Sequence, residues 1–265
     1  MVENTGTSKI TGNVGTTLAS DSAFQGFGGT SLDYMNKFSS SPMLVGGRLY
    51  SASHSPPTPD ILDAAVSNMD TAYSDASQLP GLCHGITGNH DFYTMVPAGV
   101  TYFPVDVNLP SDHILIVTGD VDDFWVLQIG GDLTFHKDSS VELFGGAKPE
   151  NIFWVVKGNI NVFEGATVHG IMLSQEYISL ASGSTLTGAA YAQTSVWMED
   201  ADIIGVDDCV SELPGNDSKA GGDPHFLKWN HTKFDYHGEC DLVLIDNNEF
   251  SNGLGNTHDR SSRIG

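Results

Sequence analysis

The stretch Val156-Lys-Gly-Asn-Ile160-Asn-Val162-Phe-Glu-Gly-Ala-Thr167-Val168-His-Gly170 aligns without gaps with Ser174-Gln-Glu-Tyr-Ile178-Ser-Leu180-Ala-Ser-Gly-Ser-Thr185-Leu186-Thr-Gly188. A third copy follows at Ala192-Gln-Thr-Ser-Val196-Trp-Met198-Glu-Asp-Ala-Asp-Ile203-Ile-Gly205, and a partial earlier one at Leu133-Thr-Phe135-His-Lys-Asp-Ser-Ser140-Val141-Glu142. Ile160, Ile178 and Val196 stand 18 residues apart, as do Val162, Leu180 and Met198. Alternating apolar positions on such a period exclude a helical repeat. They predict a right-handed β-solenoid in which each coil contributes inward Ile, Val and Leu and stacks on the next. Gly165, Gly170, Gly183 and Gly188 mark its corners. The rival reading is coincidental alternation in an antiparallel sandwich, and three copies in register favour the solenoid.

The residues flanking the inward ones point outward. This gives the columns Ser140/Thr167/Thr185/Asp202, Glu142/His169/Thr187 and Thr134/Asn161/Ser179/Trp197. Stacked coils space equivalent side chains roughly 4.7–4.9 Å apart. A rigid surface of small hydroxyl residues on that spacing can order water, with methyl groups holding a cage that the hydroxyls anchor. Threonine is also a favoured exposed strand residue, and periodicity alone does not choose between the two readings. Glu142, His169, Trp197 and Asp202 interrupt the columns.

Composition removes several function classes. The 265 residues carry 11 Lys+Arg against 33 Asp+Glu, a net charge of −22, yet only 17% are charged. So few basic residues argue against a nucleic-acid binder or attraction to an anionic membrane surface. No stretch approaches the roughly 20 apolar residues that span a bilayer. One long helix is predicted from Pro59 to Ser77. Thr58 is its expected N-cap, and Ile61, Leu62, Ala65, Met69, Ala72, Tyr73 and Ala76 form its apolar stripe.

Chemistry-bearing motifs are scarce. Gly-x-Ser-x-Gly, phosphate-cradling loops and His-Glu-x-x-His are missing, so neither an enzyme, a metal nor a cofactor is expected. Asp106, Asp120, Asp122 and Asp123 read as solvated turns in preference to paired catalytic carboxylates. Sequons at Asn216-Asp-Ser218 and Asn230-His-Thr232 are compatible with secretion.

Five motifs in order, Ile10–Gly15, Val45–Tyr50, Pro57–Pro59, Phe124–Ile129 and Gly145–Trp154, resemble the ice-binding-like family of microbial antifreeze proteins. The resemblance covers about residues 5–205. It implies a mainly β protein: a right-handed irregular β-solenoid of triangular section with one long α-helix alongside. It also implies secretion, no enzymatic activity, and an ice crystal as the partner of one flat face. The candidate residues for that face are Thr134, Ser140, Thr167, Ser179, Thr185 and Thr187. The solenoid is expected over 1–206, with the family's N-terminal strand and the leader lying outside the chain. Residues 207–220 read as an acidic, Gly-rich linker. Residues 221–265, with Gly221-Gly-Asp-Pro-His225 and Phe234-Asp-Tyr-His-Gly-Glu-Cys240, resemble the opening of a von Willebrand factor type D domain, a partial C-terminal β segment. That likeness implies that Cys240 pairs beyond the fragment, which leaves Cys83 and Cys209 to pair with each other. It also opens the alternative of an extracellular adhesion or matrix protein holding glycans or matrix proteins.

Overall fold

The computed structural model describes residues 1–19, 23–83, 90–91, 95–206, 225–227 and 233–235. Parallel pairing dominates. An eight-stranded sheet runs, in order, through His90–Asp91, Val107–Leu109, Leu133–Phe135, Ile160–Val162, Tyr177–Leu180, Ser195–Glu199, Val2–Thr5 and Phe24–Gln25. A twelve-stranded sheet supplies two further strips. One runs through Ile114–Gly119, Ser140–Gly145, the first half of Thr167–Ser174, the first half of Thr185–Ala192, Asp202–Ile204, Lys9–Thr11 and Leu44–Val45. The other runs through Gly99–Phe103, Trp125–Ile129, Ile152–Val156 and the second halves of those two long strands. This is the stacked-coil arrangement the repeat predicts.

Side-chain alternation fills the interior. Val107, Leu133, Ile160, Ile178, Val196 and Val2 stack in one inward column, and Leu115, Val141, Val168, Leu186, Ile203 and Ile10 in another, all essentially buried. Each such side chain contributes about 1.5–3 kcal/mol relative to exposure. A one-residue slip would turn a whole column to water, so the register is strongly specified.

The period is not uniform along the chain. Leu133 follows Val107 by 26 residues and Ile160 follows Leu133 by 27, before the spacing settles at 18. The longer coils insert a corner between their second and third strands, such as Gly146–Asn151 with its 3-10 turn at Pro149–Asn151. In the shorter coils one strand turns the corner directly, at Gly170 and Gly188. A Cβ at Gly188 would lie 1.9 Å from the Gly170 carbonyl oxygen, so only glycine permits this approach.

Residues 1–16 do not begin the stack. Val2 pairs with Val196 and Phe24, and Ile10 with Ile203 and Leu44, so the N-terminal segment forms a coil against the last repeat. A short strand, Val2–Thr5, therefore precedes the Ile10–Gly15 motif. A third inward column, Leu109, Phe135, Val162, Leu180 and Met198, ends on Asn4, whose amide donates to the Gly6 and Gly26 carbonyls while its oxygen accepts the Ser8 hydroxyl at 2.6 Å. Aspartates tie the corners: the carboxylates of Asp106, Asp132 and Asp200 accept the backbone N–H of Asp132, Asn159 and Thr7.

Helix α1, Thr58–Ser77, lies on the third strip. Met69 and Ala76 pack against Val126, Phe153, Val155, Ile171, Leu173 and Tyr191. Two expectations for the helix change. Thr58 is already helical; its hydroxyl donates to the Lys37 carbonyl at 2.6 Å, and Pro57 stands at the cap with no side-chain bond. Ile61 faces solvent. Buried Gln128 holds the helix end, donating to the carbonyls of Ala76 at 2.7 Å and Leu79 at 2.9 Å.

Replacing Gln128 by Leu strands these two acceptors and is expected to cost about 2–4 kcal/mol, a fall in melting temperature of roughly 5–10 °C in a thermal scan. A second prediction concerns pH. His54 Nδ1 accepts the Ser51 N–H at 3.0 Å, so the ring must stay neutral there. Burial holds its pKa below the usual 6.5, against a smaller opposing pull from Asp33. The unfolded chain then takes up the proton first. His54's contribution is present in full above the unfolded pKa and is lost as pH falls from there through the lower folded value. Urea midpoints should drop across that window, and His54→Asn should flatten most of the drop.

Candidate functional site

Two strips face solvent, because α1 covers the third. On the strip of the twelve-stranded sheet, in-register pairing builds the outward column Ile114, Ser140, Thr167, Thr185, Asp202, Lys9. A parallel column joins Met95, Ile116 and Glu142, and after a break His169, Thr187 and Ile204, with Thr11 and Val45 paired beyond. Ser140, Thr167, Thr185 and Thr187 thus share one surface and are half-buried in it. Thr134 and Ser179 lie elsewhere, on the eight-stranded sheet in the column Asn108, Thr134, Asn161, Ser179, Trp197, Glu3. The six candidates therefore occupy two faces.

These faces differ in relief. On the eight-stranded sheet the Ser179 hydroxyl is spent on the Asn161 side chain at 3.1 Å. Next to it Trp197, 42% exposed, stacks on Tyr177 with centroids 4.9 Å apart. A standing aromatic pair prevents close approach of a flat partner. Over Thr167–Ile204 on the other strip the side chains are threonine, isoleucine, one histidine and one aspartate, and the Asp202 carboxylate is turned onto the Lys9 N–H at 3.0 Å.

The apolar neighbours Ile114, Ile116 and Ile204 were not among the candidates. Ile114 and Ile204 are 45% and 44% exposed. The strict parity of Ile114-Leu115-Ile116 against buried Leu115 is the signal that identifies the first two as outward.

The break in the second column has a structural cause. Strands Ser140–Gly145 and Thr167–Ser174 pair only at Ser140 and Thr167, because the coil length changes there. Beyond that pair they diverge and leave a slot of about 530 Å³ lined by Ser140, Glu142, Leu143, Phe144, Thr167 and His169. Beneath it, the Trp154 indole donates to the His169 carbonyl at 2.9 Å. His169 Nδ1 is buried with no hydrogen-bond partner, and desolvation holds the ring's pKa below its ordinary value.

Of the four aspartates Asp106, Asp120, Asp122 and Asp123, two hold backbone N–H groups. Asp123 accepts the Asp120 N–H at 2.8 Å within its own turn, and Asp106 accepts from the next coil. Among the described residues no group of three or more His, Cys, Asp or Glu is arranged to hold a metal. The Cys209 half of the expected disulfide and the side chain of Cys83 lie outside the described residues, as do both sequons.

Comparison with known proteins bears on this geometry. An ice-binding protein of Leucosporidium sp. (strain AY30) is 34% identical over 198 residues, covering 74% of each chain. One from Flammulina populicola is 30% identical over 205 residues, covering 77% of this chain and 81% of its own. The crystal structure of a glycosylated ice-binding protein from an Arctic yeast superposes with a TM-score of 0.74 at 28% identity, covering 81% of this chain and 91% of that one. The model of the family described as Ice-binding-like matches residues 1–204, and the chain belongs to that family.

Proposed function

We propose that the protein binds ice through the strip bearing Ser140, Thr167, Thr185 and Thr187. The observation that carries this reading is the in-register pairing Thr167↔Thr185 and His169↔Thr187↔Ile204 on a strip that no other element covers among the described residues. The relatives from Leucosporidium and Flammulina populicola are named as ice-binding proteins, which supports the same function here. Each threonine offers a methyl group and a hydroxyl, and neighbouring coils repeat that offer roughly every 4.8 Å. Water held on such an array keeps its own hydrogen bonds and gains anchors from the hydroxyls. The ladder on both sides of each strand fixes the array beforehand, so little ordering entropy is lost at the ice surface. Exposed Ile204 and half-buried Ile116 add apolar area without competing hydrogen bonds.

The coil is read as right-handed, from the general preference of parallel crossovers, and as triangular in section, from its three strips. The protein is read as secreted, with residues 1–206 as the binding domain and 207–220 as a linker. The segment 221–265 is read as the start of a type D-like domain. The antiparallel pairing of His225–Leu227 with Lys233–Asp235 is compatible with that reading.

The decisive test compares two tyrosine substitutions in an ice-recrystallisation assay. Thr185→Tyr plants a ring in the middle of the strip and is expected to raise the inhibitory concentration about tenfold or more, equivalent to about 1.4 kcal/mol. Ser179→Tyr on the eight-stranded sheet is expected to leave it unchanged. The reverse pattern moves ice contact to the other sheet, and no inhibition by the folded wild type sinks the proposal.

A further inference from the structure

The slot between Ser140–Gly145 and Thr167–Ser174 is a second feature of the same strip, and its chemistry differs from that of the threonine columns. It exists because a 27-residue coil meets an 18-residue one. The wider coil carries its second strand on to Phe144 and Gly145, while the narrower one has already turned its corner at Gly170. The floor is closed and stiff. Trp154 is wholly buried under it, bonded to the His169 carbonyl, and a Cβ at Gly170 would meet the indole nitrogen at 2.7 Å. The slot is open to solvent along its top, and its volume of about 530 Å³ leaves room for a single sugar ring.

We propose that this slot is a saccharide site, taking one pyranose ring of a neutral glycan. Phe144 lies against the ring's apolar face, and Glu142, His169, Ser140 and Thr167 take its hydroxyls.

The lining selects this class. Phe144 is 50% exposed and stands beside the slot as an apolar platform, while Leu143, next in the strand, packs towards the core. A sugar offers the same division: axial C–H groups on one face, vicinal hydroxyls around the edge. Glu142 is an acceptor, the two hydroxyls can donate or accept, and the His169 ring can offer Nε2 alone, because its Nδ1 is buried. Among the described residues no lysine or arginine lines the slot, so phosphate, nucleotide and carboxylate ligands find no counter-charge there, and the net charge of −22 repels them further. A hydrocarbon would strip Glu142, Ser140 and Thr167 of water and return no hydrogen bond. The remaining rival is a cationic amine, held by Glu142 and the Phe144 ring.

Saturation-transfer NMR on the full chain separates these. The probes are cellobiose, maltose, di-N-acetylchitobiose and, as the amine, choline, each at millimolar concentration. Saturable transfer to at least one disaccharide is expected, unaffected by high salt. Glu142→Gln and Phe144→Ala should each weaken it about tenfold, the usual order for losing a charge-assisted hydrogen bond or a stacking platform. Phe144→Leu, which keeps an apolar side chain but removes the ring, carries the same expectation should the alanine variant melt early. Ser179→Tyr should change nothing. Transfer to none of the sugars, transfer that survives both slot variants, or salt-sensitive transfer to choline alone overturns the proposal. Ice recrystallisation in the same samples is a separate readout, so failure of the saccharide site is distinguishable from failure of ice binding.

Discussion

The structure depends on one constraint: adjacent coils pair in parallel and in register, so that apolar inward columns run from one coil to the next. The column Val107, Leu133, Ile160, Ile178, Val196, Val2 is the plainest case. Because side-chain direction alternates strictly along a strand, fixing the inward column also fixes the outward ones. Thr167 must therefore stand beside Thr185, and His169 beside Thr187, whatever those side chains contribute themselves. The outer surface is a by-product of core packing and inherits its rigidity. A protein that has to present an ordered array to a crystal needs that inheritance, since an array that had to be assembled on contact would lose its binding energy to conformational entropy.

The same constraint determines what could be read in advance. Between Ile160 and Met198 the repeat is short and regular, and the columns inferred from 18-residue spacing are those the strands form. Upstream, the corner inserts at Asp120–Phe124 and Gly146–Asn151 change the period to 26 and 27 residues, which hides Ile114 and Ile116 from any search at a fixed interval. The position of residues 1–16 against the last coil carries no local signature, because Val2 and Val196 meet only through the completed fold. Nor does spacing say which columns share a strip. Thr134 and Thr167 look alike in the sequence, but a corner at Glu164–Ala166 separates them. Thr58 shows a different limit: its capping propensity was real, but a carbonyl of the preceding loop, that of Lys37, took the hydroxyl first.

The composition acquires a local meaning at the corners. Asp106, Asp132 and Asp200 act there as backbone acceptors that bridge one coil to the next. Asp106 reaches the Asp132 N–H, and Asp132 in turn reaches that of Asn159. The bridge requires room. Gly131 and Gly158 stand where a Cβ would come within about 2 Å of the Asp106 and Asp132 carboxylate oxygens. High aspartate and high glycine content are thus two sides of one device. It satisfies corner N–H groups that a strand ladder cannot reach.

Placing charge at corners and on the helix leaves the threonine strip with few ionised groups, and this bears on how ice can be engaged. A carboxylate orients its hydration shell around itself and competes with the lattice for each water it holds. Asp202, the acid that falls within the column of Thr185, competes less because one of its oxygens is occupied by the Lys9 N–H. Glu142 lies across the slot from His169, outside the stretch where the columns are continuous. The unbroken part of the surface therefore begins at Thr167 and runs towards the coil built by the N-terminal residues, where Thr11 and Val45 extend it. By this argument the N-terminal segment does more than cover the end of the hydrophobic column: it lengthens the array by the coils that the wide, slotted end does not supply in continuous form.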